Sequence, residues 1–240
     1  MTSLWERLER ADKSARPTLS AHRIARAAVD IADADGLDAI TMRRLATELG
    51  VGPMAAYRHV SGRDDVVELM VDLVYGEVDV PRDAGWRETM RALALGVHAL
   101  VLKHAWLTQL STAQAAYELT PNRMALAERT LAALRETDLD VDTAITVFRT
   151  VTAYVHGATA AEVGLRRLAS DRGWATGDET RTGLSAQMGW LLNTGRYPEF
   201  ERYTREATRK DDLRWQFETG LEHVLDGIAV RLAGKGPRQR

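Results

Sequence analysis

A chain of 240 residues, 45% apolar and 28% charged, has room for one large domain or two small ones and is too apolar to be wholly disordered. Its 32 Lys and Arg against 34 Asp and Glu leave a net charge of −2, so the total by itself suggests no nucleic-acid partner. The absence of cysteine excludes disulfides, Cys-ligated zinc, iron–sulfur clusters and a Cys nucleophile. No apolar run approaches the roughly 18 residues a bilayer span needs. The N-terminus lacks the apolar core of a secretory signal, so the expected location is cytoplasmic.

Apolar residues recur at helical spacing almost throughout, and alternating β-branched runs are missing, so the expected fold class is all-α. Residues 1–17 read as a basic N-terminal arm, with Leu4, Trp5 and Leu8 forming an apolar stripe inside it. Ile24, Ala28 and Ile31 mark a first helix that ends at Gly36, a residue free to take positive φ. Thr41 offers an N-cap oxygen to a short helix carrying Met42, Leu45, Ala46 and Leu49. Gly50 closes it, and Pro53 suits the first turn of the next helix, about Pro53 to His59. Ser61 to Asp64 resembles a capping box before Val66, Leu69, Met70 and Leu73. The break from Gly76 to Gly85, with Pro81 inside it, is the expected domain boundary. It separates a unit at 18–80 from a helical unit at 81–240.

Beyond the break, Trp86–Leu102, Leu107–Tyr117 and a segment capped by Thr120-Pro121 read as helices. Asp140 should cap a long helix through about Leu168, followed by a loop from Ala169 to Asp178. Further helices are expected at Thr180–Asn193, at Pro198–Thr208 and from Leu213 to Leu232. The Asp140 helix and the last helix are apolar on more than one side, which calls for more than one packing partner each. The expected outcome is a four-helix interface between two copies, with Leu221 and Leu225 among the interfacial residues.

Residues 41–60, TMRRLATELGVGPMAAYRHV, follow the plan helix, tight glycine turn, helix. In a helix-turn-helix the second helix enters the major groove. Pro53, Met54 and Ala55 supply short apolar groups for thymine methyl contact, with Gly52 at the start of that helix. Tyr57, His59 and Arg63 supply donors for phosphates. From Thr41 to Arg63 there are four Arg (43, 44, 58 and 63) against the single acid Glu48, a local basic face that the whole-chain total conceals.

With these residues the chain resembles the tetracycline-repressor (TetR) family of bacterial transcription regulators. The resemblance is carried by Thr41-Met42-Arg43-Arg44-Leu45-Ala46, Leu49-Gly50-Val51, Tyr57-Arg58-His59-Val60 and Ser61-Gly62-Arg63-Asp64, within Leu19 to Val78. It implies a three-helix reading head and a C-terminal helical domain for effector binding and dimerisation. It also implies a homodimer on a palindromic operator, with Arg43 reaching a base or phosphate. The DNA-contacting set is therefore Thr41, Arg43, Gly52, Pro53, Met54, Ala55, Tyr57, His59 and Arg63.

The second half shows no H-E-x-x-H, G-x-S-x-G or P-loop, and its histidines show no helical metal-ligand pair. No cofactor and no metal are expected. Its large residues suit a cavity for a small apolar or aromatic effector. The candidate lining is His98, Trp106, Gln109, Met124, Phe148 and Thr152, with Trp86, Met90, Tyr154, His156, Met188 and Trp190 nearby. Two alternatives remain at this level. One is a ligand-independent DNA-binding and dimerising protein; the other is a small all-α enzyme using His98 or His156 as base.

Overall fold

The computed structural model describes residues 3–11, 19–110 and 119–233. All regular structure among these residues is helical, as the apolar periodicity requires. In chain order the α-helices are α1 (Leu4–Ala11), α2 (Ala21–Asp35), α3 (Met42–Glu48), α4 (Pro53–Ala56), α5 (Arg63–Tyr75) and α6 (Trp86–Lys103). They continue with α7 (Pro121–Ala133), α8 (Val141–Asp171), α9 (Gly177–Leu192), α10 (Pro198–Glu206) and α11 (Leu213–Ala233). Single 3-10 turns follow α2 at Leu37–Ala39 and α6 at Ala105–Gln109.

Residues 3–11 of the N-terminal segment pack against the rest of the protein. Leu4 is buried, and Trp5 and Leu8 pack on the core, while Arg7 pairs with Asp65 near the start of α5. Burial in this region raises the Glu68 carboxyl above its ordinary range. The basic residues Lys13 and Arg16 lie outside the described residues. In the head, α2 lies along α5 and buries Ile24, Ala28 and Ile31 with Val66 and Met70. Gly36 ends α2 at φ 84°, donating its N–H to Ala32 O at 2.9 Å.

Several caps differ from expectation. Gly62, not Ser61, precedes α5 and makes no side-chain cap; instead Asp65 reaches back to accept the Ser61 N–H at 2.7 Å. Thr120 precedes Pro121 but makes no side-chain cap bond. The loop expected from Ala169 to Asp178 shrinks, because α8 runs on to Asp171 and α9 starts at Gly177. There Thr176 and Glu179 form a reciprocal capping box. A 3-10 turn covers Ala105–Gln109, and most of the helix expected over Leu107–Tyr117 lies outside the described residues.

The break at Gly76–Gly85 interrupts the helices and not the core. Val78 and Val80 are buried in the apolar cluster that also contains α2, α5, α6 and α8 residues. Val78 sits so close to α6 that a Cβ on Gly96 would lie 2.8 Å from its Cγ1. Helix α8 packs against both α6 and α11, and Arg87 and Arg91 of α6 pair with Glu222 and Asp226 of α11. Leu221 and Leu225 are wholly buried inside the protomer, packed in its own core. They are not residues of an outer interface, which corrects the sequence-based placement.

Candidate nucleic-acid interface

The reading head is built by local geometry. Thr41 Oγ1 accepts the Arg44 N–H at 3.2 Å and starts α3. Gly50 turns the chain at φ 65°, and the Val51 N–H returns to Ala46 O at 3.0 Å. Ala46 and Ala56 are buried, and their small side chains let α3 and α4 approach closely. Pro53 occupies the first turn of α4, where its missing N–H costs nothing. The α-helix proper ends at Ala56, and turn hydrogen bonds continue it to Val60.

This arrangement bares one face. Thr41, Arg43, Gly52 and Pro53 are exposed, Met54 is 74% exposed and Tyr57 45%. An isolated methionine held that far out of the core at the start of a recognition helix fits contact with a base methyl. Ala55 is half-buried against the core and His59 is half-buried, so both stand further back than their helical positions suggest. Arg43 is exposed and carries no ion pair among the described residues. Arg44 is held by Asp35 at the end of α2. Arg63 donates from Nη2 to Leu37 O at 3.0 Å and lies 3.6 Å from Asp38. It is exposed on one side, next to the first turn of α5. Sequence reading missed the two acids that aim these arginines, because neither partner is a helical neighbour.

The residues expected to line an effector cavity are dispersed. Trp106 is buried, and its indole N–H donates to Asp33 Oδ1 at 2.9 Å. His104, also buried, sits 2.8 Å from the same carboxylate through Nδ1. Gln109 Oε1 accepts the Leu37 N–H at 3.2 Å. Trp106 and Gln109 therefore tie the end of α6 to the head, with the Trp106 N–H and the Gln109 Oε1 engaged there. Met124 is 48% exposed on α7. Phe148 packs half-buried on the core, and Thr152 Oγ1 is spent on Phe148 O at 3.0 Å. His98 stacks on Phe217, ring centres 3.9 Å apart, with Nε2 2.9 Å from Glu162 Oε2. Among nearby candidates, Met90 is buried and Trp190 is 70% exposed. Burial, and secondarily the Arg123 charge, lower the pKa of His156.

None of those six residues lines either of two surface clefts. One, about 790 Å³, lies between Pro81–Gly85 and α7. The other, about 330 Å³, lies between α8 and the start of α11, with Tyr154, Glu162, Leu165, Leu213 and Phe217 in its walls. His98 stands in contact with both Phe217 and Glu162 of that second cleft.

Residues 80–232 match the family model described as "Tetracyclin repressor-like, C-terminal domain". The chain is 32% identical to the HTH-type transcriptional repressor DrrR1 of Streptomyces coeruleorubidus over 242 residues, 96% of this chain and 84% of that protein. Its fold matches apo ActR from Streptomyces coelicolor with a TM-score of 0.71 at 30% identity, covering 92% of this chain and 98% of ActR. It also matches ActR in complex with actinorhodin, with a TM-score of 0.72 at 28% identity over 91% and 99% of the two chains. An all-helical body with an exposed helix-turn-helix and these likenesses over nearly its whole length place this chain in the TetR family of transcriptional regulators.

Proposed function

We propose that two copies of this chain bind a palindromic DNA operator as a homodimeric repressor and that a small molecule releases them. The observation that carries this reading is the bared face of Pro53, Met54 and Tyr57, flanked by the exposed Arg43 and Arg63. On this reading Thr41, Gly52, Ala55 and His59 complete the contact set, with Ala55 and His59 in supporting positions. A regulator that acts on operator DNA would work in the cytoplasm.

A homodimer is supported by the outward side of α8. Thr146, Thr150, Ala153, Gly157, Ala160 and Gly164 are exposed at alternating spacings of four and three residues. A Cβ on Gly157 or Gly164 would meet nothing within 4 Å. Such a seam lets a second helix approach closely, and paired copies would set two reading heads at a fixed separation. Release by an effector is supported by the likeness to ActR, whose complex with actinorhodin has the same fold. A ligand coupling of about 1–3 kcal/mol would change operator affinity roughly 5–150-fold. We assign no catalytic step. Of the two candidate bases, His98 is engaged with Glu162, and His156 has a lowered pKa without a carboxylate or nucleophile paired to it among the described contacts.

Fluorescence anisotropy on an operator selected from random DNA tests the reading. Arg43→Ala, Tyr57→Ala and Arg63→Ala should each weaken binding with the melting temperature retained. Loss of a phosphate contact should also lower the salt slope by about one unit. Unchanged affinity in all three refutes the proposed face.

A further inference from the structure

We infer that the cleft between α8 and the start of α11 is the effector site, and that it takes a flat aromatic molecule bearing a phenol or amino group rather than a carboxylate. This inference rests on the effector-released reading above and adds the place and the ligand chemistry.

The walls determine the shape of the ligand. Tyr154 and Phe217 contribute rings, and Leu165, Leu213 and Ala161 contribute aliphatic surface around a space of about 330 Å³. That volume is at the lower end of small-molecule sites and suits a few fused rings. Tyr154 is not free to swing away. Its hydroxyl donates to Phe217 O at 2.7 Å and occupies the space directly over Gly220, where a Cβ would lie 2.3 Å from the oxygen. The aromatic wall is thus formed before any ligand arrives, which reduces the ordering cost of binding.

Glu162 determines the polarity. It is only 7% exposed, and the amide of the wall, Gln216, already donates its Nε2 to Arg209 O and Lys210 O. Glu162 Oε2 faces His98 Nε2 at 2.9 Å and its Oε1 accepts from Arg166 at 2.5 Å. A carboxylate offers about four lone-pair directions, and these two bonds leave acceptor capacity on both oxygens. A ligand O–H or N–H finds a charge-strengthened acceptor there. A ligand carboxylate meets a like charge and finds no free donor on Glu162.

The place also gives an occupant a route to the head. Contact with Glu162 and Phe217 bears directly on His98 of α6. Six residues on, about 9 Å along the helix direction, His104 caps the end of α6 and with Trp106 is bonded to Asp33 of α2. Displacing His98 therefore strains the joint between α6 and the reading head without touching DNA.

The test is fluorescence titration of the full chain, without DNA, using 2-aminoanthracene and anthracene-2-carboxylate as probes. The amine should bind saturably and at least tenfold more tightly than the carboxylate. Glu162→Gln should weaken the amine about tenfold. Ala161→Trp, a substitution at an exposed wall position, should abolish binding while the thermal melt stays cooperative. The proposal is overturned if the amine does not bind, if both probes bind alike, or if Ala161→Trp binds as the wild type does. It is equally overturned if Ala161→Trp weakens the dimer in sedimentation and the wild type takes up no probe, because the cleft would then hold a second copy. Since no DNA is present, failure here leaves operator recognition standing. A failure of operator recognition in the anisotropy assay would leave this titration readable.

Discussion

Asp33 should carry more stability than a surface aspartate normally does. Its carboxylate receives two buried donors from the other side of the domain junction, Trp106 Nε1 at 2.9 Å and His104 Nδ1 at 2.8 Å. Both rings are at most 2% exposed, so without the carboxylate each donor depends on whatever water can enter the space it leaves. A buried donor left unpaired costs about 1–3 kcal/mol, which places Asp33→Ala at about 2–6 kcal/mol for two. The Asp33 side chain is itself 33% exposed, and water entering the space it vacates pulls the expected loss to the lower half of that range. Asp33→Asn keeps an oxygen for one donor and should cost about half as much. Urea unfolding of the wild type, both variants, Trp106→Phe and the Asp33→Ala/Trp106→Phe pair supplies the measurement. The pair should be less destabilised than the sum of its single variants, because one variant already removes the bond that the other would lose. A loss under about 0.5 kcal/mol for Asp33→Ala, or strict additivity in the cycle, would refute the junction as a coupled unit.

Other outcomes follow from the packing. Leu225→Ala should cost about 2–5 kcal/mol of protomer stability with sedimentation still showing association, whereas Ala153→Glu on the outer face of α8 should give folded monomers. Retention of the dimer by Ala153→Glu would place the interface elsewhere. Gly220→Ala should push the Tyr154 hydroxyl off Phe217 O and cost about 1–3 kcal/mol, read as a lower melting temperature; Tyr154→Phe should largely suppress that loss. His156 has its pKa lowered in the folded chain, so the unfolded chain binds the extra proton first. Its contribution to stability is complete above the unfolded value of about 6.5 and is lost as pH falls from there toward the folded value. Thermal melts from pH 7.5 down to 5.5 should show this decline, and His156→Gln should flatten it; an equal decline in the variant would assign the effect to other groups.

What the chain discloses without a structure is whatever neighbouring residues decide among themselves. The i, i+3, i+4 recurrence of apolar groups set the helices, and Thr41, Gly50 and Pro53 set the turn between α3 and α4, because caps and turns involve partners within a few positions. The face proposed to read DNA could be placed on the helix-turn-helix for the same reason. Its residues lie within one short stretch, and an exposed Met54 at the start of a short helix is a local fact. The effector region was not legible, since the partners that decide each side chain's role come from far along the chain. Trp106 looked like cavity lining until Asp33, 73 residues away, took its N–H. His98 looked like a ligand-orienting donor, and its role changed once Glu162, 64 residues on, and Phe217 enclosed it. Leu221 and Leu225 looked interfacial because a helix apolar on several sides carries no mark of which side meets its own chain and which a second copy. Loop closure can join residues at almost any separation at a cost that grows only with the logarithm of the loop, so periodicity carries no record of which pairs meet. Only the tertiary packing of α6, α8 and α11 decided which of these surfaces were covered.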